Sequence, residues 1–156
     1  MRGGSACLAL TVSAWIASAP ASAEQATQGK ALYVEHCQVC HQADGQGAMG
    51  VAPALQDAIA RYAGQQAGRE YLVSVPLTGM TGMVEMDGMR FLGRMPSFAA
   101  LADEDIVAVL RHVLAQFNGI GDADWLTPQW VAQIRSRGGS PGLTYAQRAK
   151  LARGQR

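Results

Sequence analysis

The pentapeptide Cys37-Gln38-Val39-Cys40-His41 constrains this chain more than any other feature. Two cysteines three apart, with a histidine directly after the second, can share a zinc ion, cycle between dithiol and disulfide, or hold a haem. Each chemistry demands different surroundings, and the rest of the chain decides among them.

The N-terminal stretch has the layout of an export signal. Arg2 precedes an apolar run from Ala6 to Ala17, and Ala21-Ser22-Ala23 supplies the small residues read before cleavage ahead of Glu24. The run falls short of the ~20 residues that span a bilayer, so we expect residues 1–23 to be a cleaved signal peptide. Cys7 lies too early for a lipid anchor and leaves with the signal. Cleavage leaves 133 of 156 residues, enough for one core. No long apolar segment follows, so the mature chain is expected to carry no transmembrane segment. Export places Cys37 and Cys40 in an oxidising compartment, the periplasm.

Charge is unevenly spread. Residues 24–134 hold 12 acidic and 6 basic groups, whereas 135–156 hold six basic groups and no acid. An acidic body gives no footprint for nucleic acid. The sequence predicts one folded domain over 24–137 and a basic, flexible C-terminal tail over 138–156.

Along the chain, Thr27 is read as the cap of a helix running GKALYVEHCQVC into the cysteine motif. QADGQGAMGVAPAL, Gly-rich and aperiodic, reads as a loop. Short helices are expected over Leu55 to Tyr62 and Arg69 to about Leu77, the second disturbed by Pro76. In GMVEMDGMRF, Asp87-Gly88 predicts a tight hairpin turn, and GRMPSFAAL after it reads as loop. Ile106, Val109, Leu110, Val113, Leu114 and Phe117 mark the buried stripe of a helix from Asp103 to Asn118-Gly119. Thr127-Pro128 opens a last short helix that stops at Gly138, and the tail begins as a linker and ends in a marginal helix. The fold class is therefore mainly α. Its apolar inventory is small for so much irregular backbone, which points to a cofactor filling the centre.

Against that background the three chemistries separate. Zinc needs four ligands, and the chain offers no second ligand pair beside His36, His41 and His112. Thiol exchange needs a strand in a βαβ unit before the motif, and none is patterned there. Haem attachment needs what is present: two thiols one helical turn apart that add to the vinyl groups of one porphyrin, and His41 for the iron. We expect one covalent haem c on Cys37 and Cys40.

At these residues the sequence resembles the class I c-type cytochromes, over roughly residues 27 to 137, which makes the expected domain over 24–137 a cytochrome c domain. Gly29 and Tyr33 are similar to the positions where the family's first and last helices cross. The resemblance implies that Pro53, in GVAPAL, accepts the ring N–H of the proximal His41, and that Met95, in RMPSF, is the sixth ligand. It also implies a fold of helices around one haem, with a short β-hairpin before the methionine loop. More narrowly, LTGMTGMVEMDGMRFLGRMPSF and LTPQWVAQIR resemble small cytochrome subunits that accept electrons from periplasmic dehydrogenases.

Met80, Met83, Met86 and Met89 recur every three residues, a pattern that also suits Cu(I). Glycines between them break any helix that would align them, so we read them as adaptable filler against the haem. Met49 and Met89 are the reserve ligands. Arg94 is the first candidate to pair with a haem propionate, with Arg90 and Arg61 behind it. His112 stands where the family has an aromatic and is read as a packing residue; His36 is read as surface.

Histidine and methionine together fill the iron's coordination, which leaves an electron carrier and no enzyme. The expected partners are redox proteins, a periplasmic dehydrogenase upstream and a cytochrome or oxidase downstream. A free shuttle to a terminal oxidase and a ligand-sensing haem protein are the alternatives. The segments expected at the haem edge, Gln38 to Val39 and Gln42 to Val51, carry only Asp44, which argues against strong electrostatic steering.

Overall fold

The computed structural model describes residues 21–86 and 88–154. Most of the expected leader, Asp87 of the expected turn, and Arg156 lie outside the described residues.

The fold is mainly helical with one small sheet, as the patterning predicts. Helix α1 spans Ala21–His36 and α5 spans Asp103–Asn118, and their crossing builds the first half of the molecule. Gly29 makes the crossing possible: a Cβ there would lie 2.2 Å from the carbonyl oxygen of Ala108 on α5. Beside it Tyr33, 2 % exposed, packs with Val109, Val113 and Phe117. Thr27 does not cap this helix. It lies inside α1 and returns its hydroxyl to the Ala23 carbonyl at 3.0 Å, the i−4 bond open to a mid-helix threonine.

A single short turn, α2 (Gln38–His41), carries the cysteine motif. The following loop is held by its own backbone, with Gly47 N–H bonded to His41 O and Leu55 N–H to Gly45 O. Helix was expected from Leu55 to Tyr62, but only α3 (Ala60–Ala63) forms. The Asn118 side chain accepts from Ile59 and Ala60 N–H and donates to Leu55 O and Val113 O, fixing the preceding turns to the end of α5.

Helix α4 (Gln66–Thr78) begins earlier than expected and continues through Pro76. A proline in the last turn removes one hydrogen bond and leaves the rest of the helix intact. Strands β1 (Met80–Met86) and β2 (Met89–Met95) pair antiparallel, from Met80↔Met95 to Met86↔Met89, which leaves two residues between the strands as the turn signal requires. GRM, read as the start of a loop, completes β2. The inner face of the hairpin buries Val84, Met86 and Phe91 against Ala58, whereas Met83 and its partner Leu92 face outward.

Helix α6 (Pro128–Ser136) starts as read, with Thr127 Oγ1 accepting from Trp130 N–H at 3.2 Å. Arg135 ties α6 to the loop before α5: it donates to the Asp103 carboxylate at 2.8 Å and to the Leu101 carbonyl at 2.8 Å. The main core joins α3, α4, α5 and α6 through Tyr62, Val73, Ile106, Leu114, Leu126 and Val131.

The tail is the main departure from expectation. Residues read as flexible form α7 (Pro141–Gly154), which docks on α4 and β1 and buries Thr144. Among the described residues no helix is long and apolar enough to cross a membrane.

Candidate haem site

A mostly apolar cavity of about 360 Å³ lies between α1, α4, α5 and the hairpin, within the range of cofactor sites. Cys37, Cys40, His41, Pro53, Arg94 and Met95 all contribute to its wall, although the first and last lie 58 positions apart in sequence. Arg61, Arg90, Met49, Met83 and Met89 are not part of that wall, and Met49 is 87 % exposed. The methionine repeat thus divides between the two faces of the hairpin, with Met80 and Met86 toward the cavity and Met83 away from it.

His41 is buried at the end of α2. Its Nδ1 lies 3.0 Å from Pro53 O, and a carbonyl can only accept, so Nδ1 carries the proton and Nε2 keeps its lone pair. Burial lowers its pKa, opposed by the bond to Pro53, which favours the neutral ring a metal ligand needs. The turn is held from α1 as well. Gln42 adopts φ +64°, ψ 166°, a region almost confined to glycine, and its carbonyl accepts the Tyr33 hydroxyl at 2.6 Å. Burial, then the nearby Cys37 and Asp44, push the Tyr33 phenol up to about 12, so it remains a donor.

The Cys37 thiol is pushed up to about 11 by burial and by the neighbouring Cys40. Thiol-exchange motifs depend on the opposite shift, toward thiolate. Among the described residues no three His, Cys, Asp or Glu side chains cluster as a zinc site needs. The donors facing the cavity include two thiols, the neutral His41 imidazole and thioethers, a set that fits a covalently attached haem.

Met95 ends β2, half-buried. The chain after it is anchored to the last turn of α4: Ser97 Oγ donates to Leu77 O at 2.7 Å and Phe98 N–H to Pro76 O at 2.8 Å. Arg94 lines the cavity but is exposed. His36, read as surface, lines the cavity and packs at a tilt against Phe98 with ring centroids 5.7 Å apart. His112 packs between Tyr33 and Phe117, as read. Sequence reasoning passed over Tyr71, Phe91 and Arg148 as wall residues, whereas Met80 and Met86 line it as read. The helical register of α4 could have found Tyr71, but nothing local marks Arg148.

A helix crossing over a Cys-x-x-Cys-His turn, a histidine oriented by a proline carbonyl, and a hairpin ending in Met-Pro define a class I monohaem c-type cytochrome, a carrier of single electrons. The sequence model of the cytochrome c family matches residues 26–116, and the chain belongs to that family. It is similar to a cytochrome c-552 of Thermus thermophilus, 38 % identical over 129 residues that cover 79 % of this chain and 95 % of the relative. A second cytochrome c-552, from a strain of the same species, is also 38 % identical over 129 residues and is covered over 84 % of its length.

Proposed function

We propose that this chain is a periplasmic electron carrier that accepts single electrons as the subunit or partner of a periplasmic dehydrogenase and passes them to a downstream cytochrome or oxidase. In this reading Cys37 and Cys40 form the two thioether links, His41 is the proximal ligand through Nε2, and Met95 is the distal ligand. The haem supplies a one-electron Fe(III)/Fe(II) couple, whose potential a thioether ligand raises. The protein's part is positioning and exclusion. Pro53 holds the His41 ring, the α4 contacts hold the Met95 loop, and the apolar wall keeps water from the site.

The choice of a dehydrogenase rests on the resemblance of residues 77–98 and 126–135 to electron-accepting cytochrome subunits, and one observation bears on how such a partner docks. Val39 and Val51 line the mouth of the cavity while 78 % and 59 % exposed, and Met49 stands exposed in the same loop. A rim of this kind, with Asp44 as its one charge in segment 38–51, suits docking through a small apolar contact more than long-range charge steering. The coverage of the relatives supports the second reading, a diffusible shuttle, because they are cytochromes over nearly their whole length.

Gel filtration of a gentle periplasmic extract, following haem-stained protein of this size, tests the assignment. Co-elution with a larger enzyme, and reduction when that enzyme's substrate is added, is the expected result. Elution as a monomer that no co-eluting enzyme reduces would replace it with the shuttle, and absence from the periplasm would reject both.

A further inference from the structure

Helix α7 lies beyond the residues that the family model matches, yet it reaches the cavity. Its docking is specific. Ser140 Oγ accepts from Leu143 N–H at its start, and the Thr144 hydroxyl meets that of Thr78 at 2.5 Å. The Tyr145 ring presses on the hairpin at Gly82, where φ is +148° and a Cβ would sit 2.6 Å from the ring. Residues 144, 145 and 148 share one helical face, so these contacts carry Arg148 into the gap between α3, α4 and the hairpin.

There the guanidinium donates from Nη1 to the Tyr62 hydroxyl at 2.9 Å, more weakly to the Tyr71 hydroxyl at 3.5 Å, and from Nη2 to the Glu85 carbonyl at 3.3 Å. It lies 5.9 Å from the Tyr62 ring centroid. Both tyrosines are 4 % exposed. Among the described residues no carboxylate is within ion-pair distance of Arg148. The Arg148 side chain is half-buried, and its hydrogen-bond partners are neutral.

The tyrosine donors are poorly used as well. A phenol has one hydrogen to give, and the acceptor found for Tyr71 is Met80 Sδ at 3.8 Å, a weak one. Burial raises the Tyr71 pKa and Arg148 opposes the rise, so the phenol stays protonated. Tyr71 and Arg148 both belong to the cavity wall, and Tyr62 stands behind them. This corner of an apolar cavity therefore offers one positive charge and one hydroxyl, and lacks an anion among the described residues. A planar carboxylate is the group that matches such a fork.

We propose that Arg148 and Tyr71 hold a haem propionate, that Tyr62 is the positioning residue for the guanidinium, and that exposed Arg94 has no such part. The inference rests on the haem reading above. It makes the last helix a working part of the redox site.

The midpoint potential of the holoprotein, measured between about pH 5 and 9, where a buried carboxylate released from its cation titrates, tests this. Other titratable or charged groups on the cavity wall are Glu35, His36, His41 and Arg94, so each variant is read against wild type. A carboxylate freed from its cation binds a proton within the range, and more tightly when the iron is reduced, because Fe(III) adds a positive charge. Arg148→Gln should therefore gain a segment, absent from wild type, in which potential falls as pH rises. Tyr71→Phe should show a smaller change of the same sign. Arg148→Lys should restore the wild-type profile, and Arg94→Gln should run parallel to it with no new segment.

Profiles of Arg148→Gln and Tyr71→Phe that both overlay wild type would overturn the proposal, as would a new segment in Arg94→Gln alone. If Arg148→Gln does not fold, the conservative Tyr71→Phe decides in the same way. A pyridine haemochrome spectrum of wild type separates the two levels: no covalent haem there defeats the haem reading itself, whereas a normal spectrum with overlaying profiles defeats only the propionate assignment.

Discussion

Tyr33, on the first helix, donates its hydroxyl to the carbonyl of Gln42, directly after the histidine of the motif, at 2.6 Å. That bond links a helix crossing to the one strained residue of the site turn, since Gln42 has φ +64°. We predict that Tyr33→Phe costs about 1–2 kcal/mol, the value of a buried hydrogen bond with its acceptor left underused. Gln42→Gly, which relieves the strain, should recover part of the loss in the double variant. Urea unfolding of the four proteins measures this, and strictly additive effects would show that the two residues are not coupled.

Gly29 and Ala108 set the helix crossing by near contact of backbone on backbone. Alanine is the better helix former by about 1 kcal/mol, so Gly29→Ala would stabilise a helix that had room. The Cβ would meet a carbonyl oxygen at 2.2 Å, and forced helix separation costs about 1–3 kcal/mol. We expect the clash to win, with net loss of stability on thermal unfolding; a variant more stable than wild type would show that the crossing yields.

Met95 is held by a strand on one side and by the Ser97 and Phe98 bonds to α4 on the other. We predict that Met95→Ala opens the iron to carbon monoxide in the reduced protein at neutral pH and lowers the midpoint potential. An unchanged absorption spectrum would remove Met95 from the ligand set and turn attention to Met80, its partner in the hairpin register.

His112 has its pKa lowered from 6.5 by burial and then by the charge of Lys30. The unfolded chain therefore binds a proton at a pH where the folded chain does not. Stability is whole above about pH 6.5 and declines as pH falls from there toward the folded pKa. His112→Phe keeps a ring between Tyr33 and Phe117 and removes the titration. It should lose less stability than wild type between about pH 7 and 5, and parallel stability curves for the two would reject the effect.

The parts legible in sequence were those with a local signature. The apolar stripe from Ile106 to Phe117 predicted α5, Thr127-Pro128 predicted α6, and two residues between apolar arms predicted the hairpin. The motif and the family resemblance pointed to His41, Pro53 and Met95, which the fold brings to one cavity. What escaped was set by tertiary contact. Thr27 looks like a cap because nothing local says that the helix extends behind it. Ser140-Pro141 is the same start signal as Thr127-Pro128, but residues 141–154 have no apolar stripe to support it. Helix α7 is held by Thr144, Tyr145 and Arg148 meeting residues more than 60 positions away, and no window of sequence contains both sides of such a contact.

The position of α7 also bears on the order of assembly. A chain leaves the ribosome from its N-terminus, so Cys37 and Cys40 emerge long before Pro141. Of the residues on the cavity wall Arg148 comes last in the sequence, so the corner it closes beside Tyr71 is the last part of the enclosure to be synthesised.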